Sequence, residues 1–198
     1  MNVSSCSVRF ILSAFFTVLG SSFAGAVDWS GSCQVSFAGK STLHDFVGKV
    51  SSEPFVVSVA NLENPTQARA SAVITVKAAK MDTDHKKRDQ AMRKALEAEA
   101  HPTIRVLVEN LAPEETKPKL GGAVPQPTVI PFVLQIKGKK LEVLGTVSDW
   151  SYASDRITYT VRFPVSLKQA EVKPPSVLGI LKVDDRIDVT AKVTLVRK

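Results

Sequence analysis

Apolar and polar side chains alternate along this chain with a period of two from residue 70 onward. In "ARASAVITVKAA", Ala72, Ile74, Val76 and Ala78 share one face while Ser71, Thr75 and Lys77 share the other. "TIRVLVEN" sets Ile104, Val106 and Val108 against Arg105 and Glu109, and "VIPFVLQIKG" lines up Ile130, Phe132, Leu134 and Ile136. "RITYTVRFPVSLK" gives the longest run, with Ile157, Tyr159, Val161, Phe163, Val165 and Leu167 opposing Thr158, Thr160, Arg162 and Ser166. "DRIDVTAKVTLVRK" closes the set with Ile187, Val189, Ala191, Val193 and Leu195. Such alternation predicts strands with one dry face and one wet face.

Adding "KLEVLGTVSDW", "FVVSV", "CQVSF" and "HDFVGKV" brings the expected total to about eight or nine strands. That number predicts an all-β fold, an antiparallel barrel or sandwich, with one short helix. Gly138 and the Ser154–Asp155 pair mark two hairpin turns. Pro131 and Pro164 each remove a ladder donor, so both are expected at an edge or a bulge.

One segment breaks the rhythm. In "HKKRDQAMRKALEAEAHP" Met92, Leu96 and Ala100 recur every fourth residue among strong helix formers. This predicts an amphipathic helix across one end of the barrel, capped by Asp82 or Asp84 and stopped by Pro102. The polar Pro/Gly stretch at 112–128 reads as a long loop.

The N-terminus alters the picture of where the chain works. Arg9 precedes the apolar run "FILSAFFTVLG", and "AGA" follows at 24–26, the layout of a cleaved export signal. The run is shorter than the roughly 20 residues a membrane span requires. Residues 1–26 are therefore read as a signal peptide and 27–198 as the mature domain, periplasmic or secreted. Cys33 is the one cysteine after the signal, so no internal disulfide is expected and the thiol reads as a small apolar core group. The formal net charge is +7, but the basic residues are scattered except in "HKKRD" and "KGKK". Without aromatic residues between them they do not form a nucleic-acid stripe.

Candidate chemistry is sparse. His44 and Asp45 in "STLHDFVGKV" are neighbours in an extended segment, so their side chains diverge and do not make a dyad. His44 is expected to be half-buried, making a structural hydrogen bond. His85 and His101 flank the helix, about 20 Å apart if it is continuous, too far for one ion. A metal site built from His44 or His85 with Asp82 or Asp84 stays open. No phosphate loop, dinucleotide fingerprint or serine-hydrolase elbow is present. The chain is expected not to be an enzyme.

Three segments, "STLHDFVGKV", "KMDTDHKKRDQAMRKALEAEAHPTIRV" and "VRFPVSLKQAEVKPPSVLGILKVDDRIDVTAKVTL", resemble the YceI-like domain in order and spacing. Thr83, Arg88, Asp89, Pro102, Ile104, Val183, Asp185, Ile187 and Val189 occupy its motif positions. "LHDF" and the 112–128 loop depart from the family's usual pattern. The resemblance implies a lipocalin-like barrel, exported to the periplasm, whose apolar tunnel holds a polyisoprenoid or similar amphiphile.

An eight-stranded barrel either fills with its own side chains or encloses one small ligand. Ile74, Val76, Val106, Phe132, Leu134, Tyr159, Val161 and Phe163 are the candidate lumen lining, although alternation alone does not separate lumen from packed core. Asp82, Arg88 and Trp150 are candidates for a mouth or head-group site, with Arg88 and Asp89 otherwise bracing the helix. The expected partner is an amphiphilic lipid or isoprenoid quinone, with no nucleic acid, no metal and no other cofactor. Transient contact with a membrane surface and a homodimer stay open. The alternatives are a solidly packed interaction or stress-response module working through the 112–128 loop or the basic exterior, and a metal-assisted enzyme.

Overall fold

A computed structural model describes residues 27–42, 44–61, 64, 66–116, 126–174 and 183–198. The proposed signal at 1–26 and most of the 112–128 loop lie outside them. The strands are β1 (Val27–Ser41), β2 (Phe46–Ser51), β3 (Phe55–Ala60), β4 (Arg69–Lys77), β5 (Thr103–Leu111), β6 (Val129–Ile136), β7 (Lys139–Tyr152), β8 (Arg156–Ser166) and β9 (Val183–Arg197). One helix, α1 (Lys86–Ala95), sits between β4 and β5.

All neighbours pair antiparallel, and β9 returns to β1 along most of its length, from Trp29 opposite Arg197 to Ser41 opposite Val183. The sheet therefore closes into an eight-position ring with nine strands. The ninth strand arises because β2 and β3 lie end to end along one edge of β1. Gln34 opposes Ser51 while Gly31 opposes Phe55, so the link at Ser52–Pro54 inserts one extra residue. Ser52 bridges the gap. Its N–H donates to the Cys33 carbonyl at 2.9 Å and its hydroxyl accepts from the Cys33 N–H at 3.0 Å.

The two expected hairpins are present. Lys137 and Gly138 both have positive φ, +49° and +74°, as a two-residue primed turn requires. Ser154 and Asp155 form the other tip, between reciprocal Ala153–Arg156 hydrogen bonds. Neither internal proline lies on an open edge, since a closed ring has none. Each lies beyond the end of one ladder: the β5–β6 register covers only Arg105–Leu107, and the β7–β8 register stops at Arg162. That is where a missing N–H costs least.

The inward faces predicted from alternation are inward. Ala72, Phe132, Leu134, Ile136, Val161, Phe163, Val165, Ile187, Ala191, Val193 and Leu195 are buried. Several positions depart from the dry-and-wet rule. Thr160, on the outer face, is only 4 % exposed because β7 bulges at Asp149, whose carboxylate accepts from the Thr160 hydroxyl. Val73 and Leu144, also on the outer face, stand 44 % and 54 % exposed.

The helix is shorter than expected. It ends at Ala95, Glu97 turns into the left-handed region at φ +50°, and the Ala98 N–H reaches back to the Arg93 carbonyl at 2.9 Å. This closes the C-terminus before Ala100 and Pro102. The N-cap is neither Asp82 nor Asp84 but His85, whose Nδ1 accepts from the Arg88 N–H at 3.3 Å.

Candidate functional site

The barrel is hollow. A cavity of about 590 Å³ runs inside it, within the roughly 300–1,000 Å³ typical of ligand pockets. All eight residues expected to line a lumen do so: Ile74, Val76, Val106, Phe132, Leu134, Tyr159, Val161 and Phe163. The alternative of a solidly packed barrel does not fit this cavity. The lining follows β8 from Tyr159 to Leu167, and eight steps of about 3.3 Å at a barrel tilt near 40° give a shaft about 20 Å deep.

Glycines shape this space. A β-carbon on Gly48 would stand 2.1 Å from the Phe37 ring, and one on Gly31 would stand 2.2 Å from the Phe55 ring. Gly31 thus lets Phe55 swing under the shaft, and Phe55, with Leu195 beside it, is buried without lining the cavity. The lumen stops at the level where Cys33, Val193 and Tyr159 stand side by side on β1, β9 and β8. Those residues are its floor.

At the other end, α1 covers the shaft with Ala91, Met92 and Ala95, joined by Leu96 at its C-cap. The four-residue spacing of Arg88, Met92 and Leu96 is the sequence signal for this wall. Ser41, His44, Thr83, His85, Lys87 and Arg88 supply the polar rim. His44, His85 and Lys87 are exposed, so the cavity meets solvent there. His44 is not half-buried as expected, and its backbone makes the hydrogen bonds: its N–H donates to the Ser41 hydroxyl at 3.3 Å and its carbonyl accepts from it at 2.6 Å.

Arg88 joins the rim to the frame. Its Nε donates to the Thr83 hydroxyl oxygen at 2.8 Å, its Nη2 to the Thr83 carbonyl at 2.6 Å, and its guanidinium lies 5.6 Å from the Phe46 ring centre. Asp89 is buried and accepts from both the N–H and the hydroxyl of Thr83. Burial raises the Asp89 carboxyl, but the Thr83 hydrogen bonds and the Arg93 and Arg88 charges outweigh it and hold the group below its ordinary value. Asp82, next in chain, exchanges backbone hydrogen bonds with Lys49 of β2. The Arg88–Asp89 pair thus braces the helix, as one of the two readings expected.

The three mouth candidates separate. Arg88 lines the rim, whereas Asp82 stands beside it without lining the cavity. Trp150 is at the opposite end, packed on Tyr159 with ring centres 5.5 Å apart. The β7 bulge carries it inward there. Among the described residues no group of three His, Cys, Asp or Glu side chains is placed to hold a metal ion. His85 uses one ring nitrogen as a cap, and an Asp82 oxygen accepts from the Asp84 N–H at 2.8 Å.

Among the described residues, two groups inside the shaft carry polar atoms, Cys33 and Tyr159. Burial pushes the Cys33 thiol up to about 12. Burial, with the neighbouring Cys33, also raises the Tyr159 phenol well above its ordinary value. Both are neutral at physiological pH.

The YceI-like domain model matches residues 27–195 of this chain. Among solved structures, BcnA of Burkholderia cenocepacia is 19 % identical with a TM-score of 0.57, over 82 % of this chain and 95 % of that one. A polyisoprenoid binding domain from Saccharophagus degradans, implicated in plant cell wall breakdown, is 10 % identical with a TM-score of 0.58, over 88 % and 100 %. The YCEI protein of Campylobacter jejuni is 12 % identical with a TM-score of 0.51, over 79 % and 87 %. At these identities the likeness speaks for the fold. No functionally curated protein matches the sequence.

Proposed function

The chain belongs to the YceI-like domain family, and from that membership and its hollow shaft we propose that it is a non-enzymatic lipid-binding protein. It encloses the tail of a polyisoprenoid or similar amphiphile for carriage, storage or sequestration. The observation that supports this reading is the continuous apolar lining of the 590 Å³ cavity beneath a polar rim. Removing each CH₂ of a ligand from water contributes about 0.8 kcal/mol before ordering costs, so an extended chain in this shaft gains affinity along its whole length. A related fold described as a polyisoprenoid binding domain agrees with the choice of ligand class. The apolar run and small residues at the N-terminus support export, and with it a periplasmic or secreted location.

Native mass spectrometry of protein prepared without detergent tests the proposal. The expected result is a co-purified lipid mass, or saturable one-to-one uptake of an added isoprenoid quinone or polyprenol. A protein that stays empty and refuses both overturns it.

A further inference from the structure

Among the described residues lining the shaft, only Tyr159 carries a hydroxyl below the rim. No hydrogen-bond partner for that hydroxyl exists among the described residues. A hydroxyl that faces the lumen without a protein partner is an uncommon group on an otherwise hydrocarbon surface, and its hydrogen bond is left to whatever occupies the cavity. Its ring is fixed in place from one side by Trp150, with centres 5.5 Å apart. Cys33, two strands across the floor, offers a second, weaker donor at the same level.

Resting on the lipid-binding reading, we propose that the floor of the lumen is a subsite for a neutral oxygen acceptor carried at the buried end of the ligand, with the Tyr159 hydroxyl as its hydrogen-bond donor. The ligand class is an amphiphile that inserts with a carbonyl, ether or hydroxyl oxygen leading. A carboxylate or phosphate is excluded from the floor. The cations Lys87 and Arg88 stand at the far rim, and among the described residues no cationic side chain lines the shaft below it. A charge at the floor would therefore be buried without compensation. Tyr159 and Cys33 are both held in their neutral forms, which suits them to donate rather than to bind a cation. Trp150 acts as a positioning residue by holding the Tyr159 ring.

The test compares a long-chain isoprenoid methyl ketone with the isoprenoid hydrocarbon of the same length, on the full protein and on Tyr159→Phe. Native mass spectrometry reads both affinities. The wild-type protein is expected to prefer the ketone by roughly 3- to 10-fold, the worth of one hydrogen bond. Tyr159→Phe removes one oxygen and is expected to bind the hydrocarbon as before while losing the preference. In the infrared, the bound ketone's carbonyl stretch should fall in frequency on the wild-type protein and recover in the variant. A preference and a carbonyl shift that survive Tyr159→Phe overturn the subsite while leaving tail binding intact. Failure of both probes to bind the wild-type protein overturns the lipid-binding reading itself.

Discussion

Asp89 holds Thr83 by two hydrogen bonds, accepting from its N–H at 2.9 Å and from its hydroxyl at 2.6 Å. The helix is thereby tied to the stretch that Lys49 pairs with β2, and the wall over the shaft depends on that tie. Asp89→Ala leaves two buried donors unmet and is expected to lower stability by about 2–4 kcal/mol in urea unfolding. Because the folded carboxyl lies below its ordinary value of 3.8, its contribution is present above that pH. It is lost as pH falls through the depressed folded value. Acid unfolding curves should show a shallower decline for the variant than for the wild type below pH 3.8.

Ala191 lies one inward-facing position above the floor of the shaft, between Val35 on β1 and Val161 on β8. Ala191→Phe places a ring in the space proposed for the ligand. Overfilling a packed interior costs about 1–3 kcal/mol, and a cavity absorbs part of that. The expected outcome is a folded barrel whose lipid affinity falls at least tenfold, a drop of about 1.4 kcal/mol. Val73→Phe, on the outer wall, serves as the control and should leave lipid titration unchanged.

The Cys33 thiol gives a third handle. Its folded value of about 12 lies above the ordinary 9.0. The unfolded chain therefore releases this proton first, and stability falls as pH rises from 9.0 toward 12. Cys33→Ala and Cys33→Ser both remove the titrating thiol, and each should flatten the alkaline slope. In native protein at pH 8 the thiol should resist alkylation and should react fully once the chain is unfolded, as mass spectrometry of the adduct can read.

Most of the architecture was legible because a period of two is visible in the residues themselves. Tyr159, Val161 and Phe163 face the lumen because every second residue of β8 must share a face. The features that escaped the pattern are those where the backbone departs from its regular course. Trp150 reaches the floor through a bulge at Asp149, and the helix stops early because Glu97 adopts a left-handed turn. The cap on α1 comes from an imidazole nitrogen of His85, outside the usual Ser, Thr, Asp and Asn set. Hollowness is different in kind. Val161 would alternate in the same way in a filled barrel, so only the radius set by the ring, together with small residues such as Ala191 and Gly145, distinguishes the two.

The ladder between β1 and β9 joins the first and last strands of the ring. Among the described residues no other strand pairing spans so much of the polypeptide, so this seam carries the largest chain-entropy cost and should be the slow step of assembly. Until the seam zips, both flanking strands present raw edges that can recruit other molecules. A chain halted before β9 emerges would be an aggregation hazard, and quality control of this protein should act on that unclosed species.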